Sequence, residues 1–207
     1  MTDIEQGNPE RGYLAQVGQA GTTVKSGIVN SLKGVDEIEA EIVSLVRNTV
    51  SNTIKATGAV SSEAVVTVRD VVKGAISATE EVGAGLILAS KSVAKGVVMG
   101  VADVGGDVIG AATETGKAAV KGAAEVGGDV AMVAKRTVDG VVEAARETGG
   151  DVAKLAVAAA EGAVEAAGSI GKSAVGAVRE MLMGLVGGVK DVAGAALPKS
   201  STGGSGT

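Results

Sequence analysis

Three groups of residues in this sequence bear on chemistry. The first is Gly168-Ser169-Ile170-Gly171-Lys172-Ser173, whose Gly-Lys-Ser end matches the close of a phosphate-binding loop, where backbone amides and a lysine cradle phosphates. Such a loop needs a glycine five residues before Gly171, and that position is Ala166. No strand-like segment precedes it either, so no nucleotide site is expected. The second group is Asp107, Asp129 and Asp151. Carboxylates are calcium ligands, but a 22-residue spacing sets them about 33 Å apart on a single helix, which makes them solvated or salt-bridged carboxylates. The third group is missing: the chain has no His and no Cys. The usual general base, the commonest transition-metal ligand and the thiol nucleophile are therefore absent. Met99, Met132, Met181 and Met183 fit as packing residues. The expectation is a non-enzymatic chain with no cofactor and no metal.

The composition narrows the class further. A net charge of −5 with no dominant basic face argues against nucleic acid as a partner. The start, Met1-Thr2-Asp3-Ile4-Glu5, lacks the basic residues and apolar stretch of a secretory signal. The longest charge-free apolar runs, Val82–Ala89 and Met181–Val189, fall well short of the roughly 20 residues that span a bilayer. A cytoplasmic location is expected, or a peripheral one at a membrane. Hydrophobic residues make up 45% of the chain and mean hydropathy is +0.33, too apolar for a polar disordered chain. Yet Tyr13 is the single aromatic, beside 33 glycines and two prolines, Pro9 and Pro198. Aromatics normally supply much of a core's buried area. A chain of Val, Ala and Gly is thus expected to obtain its core from neighbouring copies.

The elements that hold these residues form a repeat. Val104-Gly105-Gly106-Asp107-Val108 recurs as Val126-Gly127-Gly128-Asp129-Val130 and Thr148-Gly149-Gly150-Asp151-Val152, a period of 22. Extending the frame gives seven unbroken rows from Asp36 and a truncated eighth that stops at Pro198. Each row is two 11-residue units, and 11 residues fill about three helical turns. On a wheel, positions 3, 4, 7, 8, 10 and 11 of the unit form one apolar arc covering about half the circumference, wider than a coiled-coil seam. Positions 1, 5, 9, 2 and 6 hold nearly all the charge. The organisation expected is an irregular N-terminus over 1–13, a weakly repetitive helical lead-in over 14–35, helical repeats over 36–197 and a flexible Gly/Ser tail over 198–207. The fold class is all-α: a long, largely continuous amphipathic helix, or a few long helices, elongated and assembled with other copies. Unbroken, Asp36–Leu197 would measure about 240 Å. The competing reading makes Gly-Gly-Asp a turn, with glycine ending one helix and Asp107, Asp129 and Asp151 capping the next.

Charge and glycine are both patterned on this wheel. One edge of the polar arc is basic, carrying Arg47, Arg69, Lys91, Lys135 and Arg179, and the other is acidic, carrying Asp107, Asp129, Asp151, Glu125 and Glu147. Two such helices side by side and parallel would set acid against base. Glycine favours the fourth column of the row (Gly83, Gly105, Gly127, Gly149, Gly171) and the seventeenth (Gly74, Gly96, Gly140, Gly162, Gly184). Each costs roughly 1 kcal/mol against Ala in a helix, so an isolated helix would be marginal. Small residues at helical spacing let backbones approach closely, and both columns are expected to be helix-packing positions.

In period and amphipathic pattern, residues 36–197 resemble the 11- and 22-residue repeats of exchangeable apolipoproteins, synucleins, perilipin- and phasin-like granule proteins and group 3 late-embryogenesis-abundant proteins. The chain departs from the lipid binders in having no Phe or Trp, and its edges carry mixed charge where theirs are flanked by basic residues. It is also less hydrophilic than the desiccation protectants. The leading expectation is a structural protein whose amphipathic helices pack laterally into a filament, sheet or tube, with itself as partner. The resemblance implies two alternatives: a coat on a membrane or lipid granule, and a stress or desiccation protectant.

Overall fold

The structure, a computed structural model, describes residues 19, 21–28, 38–57, 62–82 and 85–193. The expected irregular N-terminus, most of the lead-in, Gly83 and the Gly/Ser tail lie outside these residues. The described residues are helical apart from short connections. After a helical segment over 21–28 come α1 (Ile38–Thr57), α2 (Ser62–Val82), α3 (Leu86–Ala102), α4 (Val108–Glu125), α5 (Val130–Thr148), α6 (Val152–Ile170) and α7 (Lys172–Ala193).

The all-α class holds, but the single long helix does not form. Helices α3 to α6 begin at Leu86, Val108, Val130 and Val152, steps of 22 residues, so each row of the repeat is one helix plus one turn. The Gly-Gly-Asp sequence makes the turn. Gly105 takes φ 68°, the left-handed conformation that favours glycine. Its amide donates to the Ala102 carbonyl and that of Gly106 to the Val101 carbonyl, both at 3.0 Å, which is the Schellman pattern of helix termination. The Asp107 carboxylate then accepts from the amides of Ile109 at 3.1 Å and Gly110 at 3.0 Å, opening α4. Asp129 does the same for Ala131 and Met132, and Asp151 for Lys154. An aspartate cap of this kind contributes about 1 kcal/mol. The junction before α7 differs. Gly171 alone separates it from α6, at φ 151° and ψ 170°, a region open essentially to glycine. The run Gly168-Ser169-Ile170 is the last turn of α6, and among the described residues no strand precedes it.

Through most of the chain each helix packs most closely on the helix two places along: α1 on α3, α2 on α4, α3 on α5 and α4 on α6. Contacts with the immediate sequence neighbour are fewer, except that α7 packs more on α6 than on α5. This is the arrangement of a two-layer α-solenoid, with alternate helices in each layer. Short turns make consecutive helices antiparallel, so helices within a layer run parallel. Gly96 lies over Val43 and Val46, and Gly100 over Arg47 and Val50. Both sides advance together, as parallel α1 and α3 require.

The core is internal, against the expectation that neighbouring copies supply it. Val46, Val50, Val68, Val72, Val97 and Val101 are buried in an N-terminal cluster, and Val120, Val138, Val141, Leu155, Ala159 and Val178 in a C-terminal one. Folding back row upon row lets a thin apolar arc be covered on several sides by its own chain. Two buried hydroxyls are satisfied within their helices, Thr79 donating to the Ile76 carbonyl at 2.7 Å and Thr115 to the Ala111 carbonyl at 2.6 Å, whereas those of Thr67 and Thr137 are buried without a hydrogen-bond partner.

Candidate interaction surfaces

The two glycine columns have different roles. In the seventeenth column, Gly74 faces the Gly21 carbonyl, Gly96 the Val43 carbonyl, Gly140 the Lys91 carbonyl and Gly162 the Thr113 carbonyl. In each case a Cβ would overlap the backbone of the helix two places earlier. Close approach of parallel backbones explains these glycines. Gly116, in another column, reciprocates by facing the Ala159 carbonyl. Gly184 has no neighbour within 4 Å. The fourth column corrects the packing assignment: Gly105, Gly127, Gly149 and Gly171 sit in helix junctions with positive φ and nothing within 4 Å of a would-be Cβ. Their requirement is conformational.

The charged edges meet inside one chain. Arg47 binds Asp103 through two hydrogen bonds, Nε to Oδ2 at 2.6 Å and Nη2 to Oδ1 at 2.7 Å, joining α1 to the end of α3. Arg69 of α2 reaches Glu114 of α4 at 2.8 Å. Lys91 and Lys95 of α3 reach Glu143 and Glu147 of α5, each at 2.6 Å, and Lys117 of α4 reaches Glu165 of α6 at 2.6 Å. Every one of these pairs joins helices two places apart, parallel members of one layer. Arg47, Arg69, Lys91 and Glu147 thus serve as lateral edge residues. Asp107, Asp129 and Asp151 do not; they cap helices, and because α4, α5 and α6 alternate in direction, successive caps lie at opposite ends of the layers. No ion pair within the described residues engages Lys135, Arg179 or Glu125. Among the partners, Asp103 and Glu114 lie on the acidic edge of the wheel, whereas Glu143 and Glu165 sit in the middle of its polar arc and find Lys91 and Lys117 because the chain folds back on itself. Across α1, α3 and α5 the paired edges line an open polar groove of about 810 Å³ that includes Arg47, Lys55, Lys91, Lys95, Glu143 and Glu147.

Two aspartates in these layers respond to acid in opposite senses. The Arg47 guanidinium, through its hydrogen bonds, holds the Asp103 carboxyl below the ordinary carboxylate range, against a smaller opposing effect of burial. Burial pushes Asp139 the other way, above its ordinary value. A depressed carboxylate contributes stability above its unfolded pKa of about 4 and loses it as pH falls through the folded value. A raised one costs stability when ionised, and protonation relieves that cost. Asp103→Asn should therefore lower the thermal midpoint at pH 7, with the difference shrinking as pH falls below the unfolded carboxylate pKa of about 4 and through the depressed folded value. Asp139→Asn should raise it at pH 7, with that gain also vanishing in acid. The Arg47 and Asp103 side chains are 41% and 30% exposed, so solvent screening limits the pair to about 1 kcal/mol. Thermal scans from pH 7 to 2.5 check both signs.

The outer face of α6 and α7 is exposed among the described residues. Val157, Ala160 and Val164 of α6 and Leu182, Met183 and Val186 of α7 line an open, largely apolar groove of about 580 Å³. Met183 is 75% exposed. In the interior the corresponding face of α4, at Gly116, is covered by α6. At the other end, the segment 21–28 lies on α1 and α2, with Gly27 against Leu45 and Gly21 against Asp70. Among the described residues no group of three or more acidic side chains converges as a metal site, and no helix is long and apolar enough to cross a membrane.

No family model matches the sequence, and no curated protein matches it. Among solved structures the chain is similar to the crystal structure of a de novo designed helical repeat protein, at 21% identity and a TM-score of 0.49, over 85% of this chain and 95% of that one.

Proposed function

We propose that the protein is a non-enzymatic structural repeat protein that associates with further copies of itself through the lateral helix packing that builds its interior. One observation carries this reading: among the described residues the apolar face of α6 and α7 is uncovered, while the equivalent face of α4 is occupied by the next helix of its layer. Many of the charged side chains serve the fold itself, Asp107 and Asp129 as helix caps and Lys91, Glu143, Lys117 and Glu165 in inter-helix ion pairs. The lateral faces expected to join separate chains are used within the chain along most of its described length, so assembly uses the exposed face of α6 and α7.

The apolar arc also lies in the internal core, which favours this reading over a lipid coat, where that arc would face the membrane. Multi-angle light scattering over a concentration series, with circular dichroism with and without anionic phospholipid vesicles, tests it. Full helicity in buffer together with concentration-dependent multimers is expected. A helical monomer at every concentration would overturn the reading, and helicity that develops only on vesicles would replace it with the lipid-surface one.

A further inference from the structure

The exposed face of α6 and α7 is not uniformly apolar, and its charges decide how a second copy would seat. Glu161 on α6 and Arg179 on α7 line the same groove as Val157, Ala160, Val164, Leu182, Met183 and Val186. Both charged residues are exposed, and neither is held in an ion pair within the described residues. Glu165 also borders the groove, but it is bound to Lys117. The face therefore carries an apolar strip with a free acid on one helix and a free base on the other. A surface bearing both members of a charge pair is complementary to itself under a two-fold rotation, the rule for isologous interfaces. At the opposite end the segment 21–28 lies on α1 and α2, beside a groove on α1 lined by Glu41, Ser44, Leu45, Asn48, Thr49 and Asn52. Small side chains at Ala160 and Gly187 in the strip leave room for close helix approach.

We propose that two copies of this chain join tail to tail about a two-fold axis, through the α6–α7 face, with Arg179 of each copy against Glu161 of the other. This rests on the self-association proposed above and specifies its geometry. The product is a closed dimer, because a two-fold contact uses the same face on both copies and leaves no second copy of that face free. The apolar strip supplies the buried area, and the two crossed ion pairs fix the register and exclude other orientations.

Sedimentation velocity of the full chain over a concentration series is the test, using charge reversals at exposed positions that leave the core untouched. The wild type is expected to pass from monomer to dimer and no further. Arg179→Glu and Glu161→Arg, each alone, should weaken dimerisation at least tenfold by placing like charges face to face. An equimolar mixture of these two variants should recover dimers, since both crossed pairs are then opposite in sign, and this recovery also shows that each variant is folded. The double variant Glu161→Arg/Arg179→Glu should recover dimers on its own. Self-association that continues unchanged in both single variants would overturn the two-fold geometry while leaving self-association standing. Higher polymers growing with concentration would do the same. A wild-type chain that remains monomeric throughout would overturn both.

Discussion

Replacing Gly162 by Val should destabilise the protein by about 3 kcal/mol, whereas Gly184→Ala should stabilise it by up to about 1 kcal/mol. Both glycines occupy the seventeenth column of the repeat, and both lie inside helices. Their surroundings differ. A Cβ at 162 overlaps the Thr113 carbonyl of α4, while one at 184 meets nothing within 4 Å. A flexible side chain in the way could rotate aside, but a carbonyl within a helical hydrogen-bond ladder cannot, so α6 must move away from α4 as a unit. That movement loosens the Lys117–Glu165 pair at 2.6 Å and the apolar contacts beneath it. The gain in helix propensity on replacing glycine, less than about 1 kcal/mol, is too small to offset this. For a chain of this size 1 kcal/mol shifts the midpoint by roughly 2–4 °C, so thermal melts resolve the two variants and give opposite signs. Equal stabilisation by Gly162→Ala and Gly184→Ala would show that the seventeenth-column glycines do not mark close backbone approach.

The repeat arithmetic made the faces of each helix legible and left the path of the chain open. Val138, Val141 and Leu155 fall in the apolar arc and are buried. Arg69, Lys91 and Glu147 fall on the charged edges and pair between parallel helices. The continuous helix and the folded solenoid could not be separated on phase, because 22 residues fit both. They make six turns of helix at 3.67 residues per turn, or one helix of 17 to 19 residues, as in α3 to α6, plus a short turn. Val104 and Val108, either side of Gly105-Gly106, stay in phase in either case. What separates the readings is chemistry at the turn. A packing glycine need not come in a pair or be followed by Asp. Gly105-Gly106-Asp107 supplies a left-handed residue, a second helix-terminating amide and an N-cap in three consecutive positions. The same ambiguity misplaced the core. A straight helix must find partners in other chains, whereas a chain that turns every 22 residues covers its own arc. Absence of aromatics then reads as fit to a thin inter-helix space, since Val and Ala fill it where larger rings would hold the layers apart.

A solenoid core made of row-to-row contacts should also fail row by row, and Leu155→Ala exposes this. Leu155 is 1% exposed, lies in the first turn of α6 and belongs to the C-terminal apolar cluster. Its truncation leaves a cavity in a core whose other residues are mostly Val and Ala, too short to close over it. Such a change costs about 3 kcal/mol. In a single cooperative domain this loss would lower protection everywhere. Here α6 touches α4, α5 and α7 and makes no contact with α1, α2 or α3 among the described residues. Stability in such arrays is a sum of unit and nearest-interface contributions, so the deficit stays near the site. Amide hydrogen exchange of the variant should show α6 and α7 losing protection by roughly two orders of magnitude, with α1 to α3 close to wild type. The denaturant transition should broaden as the C-terminal rows separate from the rest. Uniform loss of protection across all seven helices, with an unchanged transition slope, would mean that the two apolar clusters act as one cooperative core and that the row-by-row account of this fold is wrong.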